Sequence, residues 1–257
     1  MQETDLDLLK NAVTAASPIA EKFFKADPTI WDKGDGQGPV TEADLAIDKC
    51  LNEILISARP DYGWLSEETD DDPARLEKDT VFIVDPIDGT RAFIAGQVNF
   101  AIAIAVAHKG EVTAAVVHMP IKGVTYAAER GYGATKNEKR MAVTNTPHAD
   151  GARMLASGGT FNADLWQDVP SVERHFRSSL AYRICLVAEG RFDAAAALRP
   201  TWEWDMAAGD LIMHEAGGLC TTRTGAIAQY NSKSACQDGL VIANPDLHKQ
   251  LMIHLNG

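Results

Sequence analysis

The segment "TVFIVDPIDGTRAFIAG", residues 80–96, constrains this chain more than any other. Val81, Phe82, Ile83 and Val84 form a run suited to a buried strand, and it leads directly into two aspartates, Asp85 and Asp88, that flank a proline. Carboxylates at the end of a hydrophobic strand are costly unless something pairs with them. Asp-Pro and Asp-Gly are also common turn formers, so the segment alone reads equally as a turn. The remaining acidic segments decide between the two readings.

Three further clusters stand out. Asp44 follows Thr41 at a helix start, Glu67-Glu68 follows a short strand, and Asp205 opens a later helix. Taken alone these read as a capping box, a solvated acidic loop and an N-cap. Taken together they supply the oxygen donors that hard divalent cations such as Mg²⁺ require. Several converging carboxylates can hold two ions, the arrangement used in phosphoryl transfer. Pro86 restricts the backbone so that Asp85, Asp88 and the Ile87 carbonyl can face one point. Gly89 permits a sharp turn into the next helix, whose first N–H groups, at Gly89 and Thr90, form a natural phosphate site.

Composition excludes several classes. The chain has 257 residues, 46% of them hydrophobic and 23% charged, with a formal net charge of −12. That balance disfavours a binder of nucleic-acid backbone or anionic membrane. The acidic start "MQETDLDLLK" lacks the features of a signal peptide, no apolar run is long enough for a membrane span, and the four cysteines are widely spaced. A cytoplasmic protein with reduced thiols is expected. The histidines form no H-E-x-x-H site, and "EETDDDP" lacks the glycine-spaced EF-hand loop.

Periodicity predicts a helix over 3–26, a glycine-rich loop over 32–40, a helix from Thr41 to Arg59-Pro60, and a strand over 80–84 followed by a short helix. An antiparallel meander follows to about residue 137, then a short strand at "RMLASGG" and a helix ending near Gly190 that leads into a strand. Helices beginning near Trp204 and after Pro245 complete the chain. Helices and strands mix throughout, which fits a layered sandwich with an N-terminal half over 1–145 and a C-terminal half over 146–257.

The motifs "GPVTEADLAID", "WLSEET", "VDPIDGTRAFIAG" and "WEWDMAAGDLIMHEAGG", in that order, resemble the inositol monophosphatase superfamily of Mg²⁺-dependent, lithium-sensitive phosphomonoesterases. The resemblance implies a layered α-β-α-β-α sandwich, two or three Mg²⁺ per site, a small phosphorylated metabolite as substrate and a homodimer. By residue, it implies Glu67, Asp85, Asp88, the Ile87 carbonyl and Asp205 as metal ligands, with Glu67 also catalytic and Glu68 a neighbour. It implies Gly89 and Thr90 as the phosphate cradle and Asp44 with Thr90 as the pair that activates water. Thr41 supports Asp44, and Lys33 stands where some relatives bring a loop lysine toward the site.

Two departures bear on substrate. Ser66 stands where relatives commonly have glycine, and Leu198 stands near the register of an acid that binds inositol hydroxyls. "SSLAYRICLVAEGR" and "RPTWEWD" lean toward relatives that hydrolyse adenosine 3′,5′-bisphosphate, with Arg183 or Arg199 meeting the second phosphate. Inositol monophosphate, the nucleotide and histidinol phosphate are therefore the substrate expectations. A cation- or phosphate-sensing protein that kept the fold is the non-catalytic alternative; it predicts loss of Asp44, Thr90 or a ligand, and none is lost.

Overall fold

A computed structural model describes residues 3–34 and 38–255. In chain order the elements are α1 (Asp5–Phe23), β1 (Ile30–Asp32), β2 (Pro39–Thr41), α2 (Glu42–Ala58), β3 (Gly63–Ser66), β4 (Thr80–Asp88), α3 (Thr90–Ile94) and β5 (Ala101–His108). There follow β6 (Glu111–Met119), β7 (Val124–Glu129), β8 (Gly133–Lys136), β9 (Lys139–Arg140), β10 (Arg153–Ala156), β11 (Glu173–His175) and α4 (Leu180–Ala188). The chain ends with β12 (Ala194–Ala197), β13 (Thr201–Trp202), α5 (Glu203–Glu215), β14 (Leu219–Thr221), β15 (Cys236–Gln237), β16 (Leu240–Ala243) and α6 (Pro245–His254).

Two main sheets and three helix layers result, with β1–β2 and β13–β15 as separate two-stranded pairs. The larger sheet runs β3-β4-β5-β6-β7-β8-β9, antiparallel except for the parallel β3–β4 pair. The smaller runs β11-β10-β12-β16-β14. Alternation along the strands sorts side chains between layers. In β5, Ile102, Ile104 and Val106 pack with α1 and α2, whereas Ala101, Ala103, Ala105 and Ala107 face α4 and α5. Alanines on that face let the two helices approach the sheet closely. The smaller sheet repeats the device. Ala195 and Ala197 point to α4 and α5, and Ala194 and Ala196 point to the outer layer around α6. The order α-β-α-β-α expected from the motifs is the observed one.

In β4 the same parity decides the site. Val81 and Ile83 face the α4–α5 layer, Phe82 and Val84 face α1 and α2. Asp85 continues the odd-numbered face and so points toward the first turn of α5. The pairing with β5 then shifts between Asp85 and Asp88.

Several boundaries differ from those read in the sequence. The strand expected over 80–84 extends to Asp88, because the irregular register accommodates Pro86 without ending the pairing. The expected loop over 32–40 is flanked by the short antiparallel pair β1–β2; its tip, residues 35–37, lies outside the described residues. Strands β14, β15 and β16 carry no clear sequence signal beyond the apolar "LVIA" run. The sheets are also less antiparallel than expected, since β10 runs parallel to both β11 and β12. All four cysteines are free, with Cys185 and Cys220 buried and Cys50 and Cys236 half-buried.

Helices α4 and α5 meet at Gly209, where a Cβ would lie 2.8 Å from Ile184 Cδ1 and 3.0 Å from Ile184 Cβ. Gly209→Ala therefore sets an overpacking cost of about 1–3 kcal/mol against a helix-propensity gain of about 1 kcal/mol. We expect a net loss, read in thermal melts as a drop of roughly 2–6 °C in Tm. An unchanged or raised Tm would show that the two helices can separate without cost.

Candidate active site

Four elements converge at the end of β4. One carboxylate oxygen from each of Asp85, Asp88 and Asp205 lies within 4.8 Å of the others. Asp85 is fully buried, and neither of its oxygens has a hydrogen-bond partner among the described residues. Burial pushes its carboxyl well above the ordinary range, and the charges of Glu67, Asp88 and Asp205 add to the effect. Asp205, in the first turn of α5, is raised for the same reasons; Arg199 and Arg183 oppose. Asp85 oxygens with no internal partner, beside the repelling carboxylates of Asp88 and the half-buried Asp205, are what a hard divalent cation satisfies, so the residues present fit a metal of this type.

Asp88 differs because it is well bonded. It accepts from the Ser179 hydroxyl at 2.6 Å, the Ala181 N–H at 2.6 Å and the Leu180 N–H at 3.2 Å. Its carboxylate thus caps the N-terminus of α4, and the cap joins the end of β4 to that helix. Burial raises the carboxyl to about 6, against the lowering effect of those donors and of Arg183.

The Thr41–Asp44 pair forms a capping box on α2: the Thr41 hydroxyl accepts from Ala43 N–H, and Asp44 accepts from Thr41 N–H at 2.8 Å and Thr41 Oγ1 at 2.5 Å. The other Asp44 oxygen lies 3.2 Å from the Thr90 hydroxyl, which is also 3.2 Å from the Ile87 carbonyl. Burial pushes Asp44 up to about 6 despite the two Thr41 bonds. Gly89, before α3, adopts φ +104°, where an added Cβ would also sit 3.3 Å from the Asn99 carbonyl. The glycine is therefore required by the turn as well as by the crowding around it.

Glu67 and Glu68 share one cation. Lys33 Nζ donates to Glu67 at 2.9 Å and to Glu68 at 2.8 Å. Burial lowers the lysine's affinity for its proton, but the two glutamates outweigh it and the net shift is upward. Glu68 is pushed up to about 7 by burial and by Glu67, with Lys33 opposing. Lys33 is thus a half-buried partner of the acidic segment, not a free loop charge. Beside it opens a cleft of about 510 Å³ lined by Lys33, Glu67, Glu68, Leu45, Trp202 and Trp204. The two tryptophan rings stack at 4.9 Å.

Arg183 is buried on α4, with Nε donating to the Ser179 carbonyl at 3.3 Å and the guanidinium over the Phe176 ring at 5.4 Å. It forms no salt bridge with a surface acid among the described residues. Burial lowers its proton affinity and the Arg199 charge adds to that, whereas the charges of Asp88 and Asp205 oppose. Arg199 itself is exposed, and Leu198 is buried.

The motifs do not reveal the partners of some contributors. Asp48 binds Ser66 and Thr69 on either side of Glu67-Glu68. Arg75, nearly fully buried, grips Asp71 and reaches Asn231 at 2.7 Å and the Ser232 carbonyl at 3.1 Å. Glu203, at the start of α5, accepts from the N–H groups of the same Asn231 and Ser232. The capping serine before "LAYRICLVA" was the one such signal available in the sequence; Arg75 and Asn231 are 156 positions apart and leave none.

The Inositol monophosphatase family profile matches residues 1–256. The chain is 34% identical to inositol-1-monophosphatase of Caulobacter vibrioides, covering 96% of this chain and 99% of that protein. It is 32% identical to Nus factor SuhB of Pseudomonas aeruginosa (85% and 86% covered) and 30% identical to 3′(2′),5′-bisphosphate nucleotidase CysQ of Aggregatibacter actinomycetemcomitans (89% of each). The crystal structure of extragenic suppressor protein suhB from Bartonella henselae superposes with a TM-score of 0.83 at 28% identity, covering 96% of both chains. With its acidic cluster at the family's metal-site motif and the family's layered fold, the chain belongs to the inositol monophosphatase family of metal-dependent phosphomonoesterases.

Proposed function

We propose that the protein is a Mg²⁺-dependent phosphomonoesterase that hydrolyses a small phosphorylated metabolite, such as myo-inositol monophosphate, to an alcohol and inorganic phosphate. The observation that carries this reading is Asp85, fully buried with both oxygens unpartnered beside Asp88 and Asp205. Glu67, Asp85, Asp88, Asp205 and the Ile87 carbonyl would hold the ions. When bound, the ions neutralise these carboxylates and supply Lewis-acid stabilisation of charge on the phosphoryl and leaving oxygens.

The chain's own groups do the rest. The Thr90 hydroxyl orients the attacking water, and its hydrogen bond to Asp44 gives the water's proton a path to that carboxylate. A carboxyl raised to about 6 is a better proton acceptor near neutrality than an ordinary one. The N–H groups of Gly89 and Thr90, at the turn into α3, cradle the phosphate oxygens.

One observation favours a second reading. The charges of Arg183, on α4, and Arg199, just after β12, both act on Asp205, and Leu198 supplies no carboxylate for sugar hydroxyls. A bisphosphorylated nucleotide such as adenosine 3′,5′-bisphosphate would use an arginine on its uncleaved phosphate. Phosphate release from inositol 1-phosphate, adenosine 3′,5′-bisphosphate, fructose 1,6-bisphosphate and histidinol phosphate separates the readings. On the nucleotide reading, Arg183→Ala and Arg199→Ala each raise KM for the nucleotide about 10-fold, roughly 1.4 kcal/mol, and leave KM for inositol 1-phosphate in place. Equal effects on both substrates remove its support.

Three outcomes test the reaction class. Asp85→Asn and Asp205→Asn should each abolish Mg²⁺-dependent phosphate release while the fold persists; near-normal turnover in either would overturn the ligand assignment. Thr90→Ala should lower kcat by roughly 10²-fold with Mg²⁺ affinity little changed, the scale of a lost proton-transfer contact. Recovery of the rate at saturating Mg²⁺ would instead make Thr90 a structural support.

The third outcome concerns pH. Asp44 and Asp88 titrate near 6 in the folded protein, above the ordinary aspartate value of about 3.9, and Asp85 and Asp205 are also raised. The folded state therefore holds protons that the unfolded chain has released. This contribution to stability is complete below about pH 4 and is lost as pH rises through about 6. In EDTA, the wild-type Tm should fall more between about pH 5 and about pH 8 than that of Asp85→Asn, and Mg²⁺ at the higher pH should raise the wild-type Tm. Equal falls in the two proteins would exclude repulsion in the cluster as the cause.

A further inference from the structure

Helix α2 presents two acids to the site, one turn apart. Asp44 faces Thr90, and Asp48, four residues on and so on the same face, faces the end of β3. Asp48 is buried and spends both carboxylate oxygens on the segment around the glutamates: Oδ1 accepts from Ser66 Oγ at 2.5 Å and Oδ2 from Thr69 Oγ1 at 2.6 Å. Ser66 and Thr69 immediately bracket Glu67 and Glu68. Ser66 Oγ in turn accepts from the Glu68 N–H at 3.3 Å, and Thr69 Oγ1 from the Trp64 indole at 3.3 Å. The backbone that aims the two glutamates is therefore tied at both ends to one carboxylate. A glycine at position 66 could not make the first tie.

We propose that Asp48 is a positioning residue that sets the site's affinity for divalent cations by holding the Glu67-Glu68 turn through Ser66 and Thr69. It touches neither substrate nor ion and acts through Glu67. The physical basis is preorganisation. Glu67 follows the last residue of β3 and is paired with Lys33 on a segment outside the sheets. Without the clamp, ordering the turn becomes a cost of cation binding. Charge makes a different contribution, because a carboxylate near the site attracts cations whatever it bonds to. The two are separable. Asparagine at 48 keeps one acceptor oxygen and offers an amide that can donate to the other hydroxyl, so it preserves the geometry and removes the charge.

This inference rests on Glu67 being a metal ligand. The experiment measures Mg²⁺ binding directly by titration calorimetry on the full-length wild type, Asp48→Ala, Asp48→Asn, Thr69→Val and Asp85→Asn, with hydrogen exchange at the amides of residues 66–69. Asp48→Ala should raise the Mg²⁺ dissociation constant about 10-fold and speed exchange at those amides. Asp48→Asn should stay within about threefold of wild type, and kcat at saturating Mg²⁺ should be near wild type in both. Thr69→Val, which removes one tie and leaves the acid, should give an intermediate dissociation constant. It serves as the decisive variant if Asp48→Ala does not fold. Unchanged Mg²⁺ affinity in Thr69→Val and Asp48→Ala would overturn the proposal, as would Asp48→Asn binding as weakly as Asp48→Ala, since charge alone would then explain the effect. Asp85→Asn separates the two levels: if it binds Mg²⁺ like wild type, the metal-site reading itself fails; if it loses Mg²⁺ while the Asp48 variants are unaffected, only the positioning role fails.

Discussion

Everything around this site follows from burying mutually repelling carboxylates at the end of one strand. Asp85 lies on the face of β4 that packs against α4 and α5, with no hydrogen bond to either oxygen. Asp88 and Asp205 stand within 4.8 Å of it. Folding alone offers no compensation for such an arrangement, since burial and like charge act in the same direction on Asp85 and Asp205. A bound metal ion would supply it. Stability in the absence of metal is thereby traded for a site ready to receive metal, the kind of local violation expected where a chain carries function.

The surrounding structure divides the remaining work among its layers. Asp88 caps α4 through Ser179, Leu180 and Ala181, so the end of β4 is bonded to the helix beneath the smaller sheet. Arg75 and Glu203 both hold the Asn231-Ser232 backbone, one from the acidic segment after β3 and the other from the first turn of α5. Helix α2 contributes Asp44 toward Thr90 and Asp48 toward Ser66 and Thr69. Each group proposed to act in the reaction is therefore adjacent to a contact that crosses between elements. A loop displaced at one point would be felt at the cluster.

The arginines proposed to select substrate stand on different elements from the groups proposed to carry the reaction. The cluster and the Thr90–Asp44 pair lie on β4, α2 and the first turns of α3 and α5. Arg183 lies on α4 and Arg199 in the segment after β12. Proteins of comparable identity to this chain carry names as different as inositol-1-monophosphatase and 3′(2′),5′-bisphosphate nucleotidase. Within one family, the same acidic cluster can be kept while the rim changes.

The sequence by itself determined the layered class, the capping box at Thr41–Asp44, the strand that leads into Asp85 and Asp88, and the identity of the acidic cluster. These are encoded locally, in strand alternation, helix caps and short motifs whose order along the chain is visible without coordinates. Tertiary structure alone decided that β4 runs through Pro86 to Asp88, that β10 is parallel to both its neighbours, and that Lys33 bridges Glu67 and Glu68. It also decided the partnership of Arg75 with Asn231 and the double use of Asp48. These depend on which distant residues packing brings into contact, and a single side chain meeting a single backbone group many positions away leaves no periodic trace. Ser66 shows the limit most clearly: in the sequence it is a mild departure from glycine, and only the position of α2 beside β3 makes it the hydroxyl that ties the glutamate turn to Asp48.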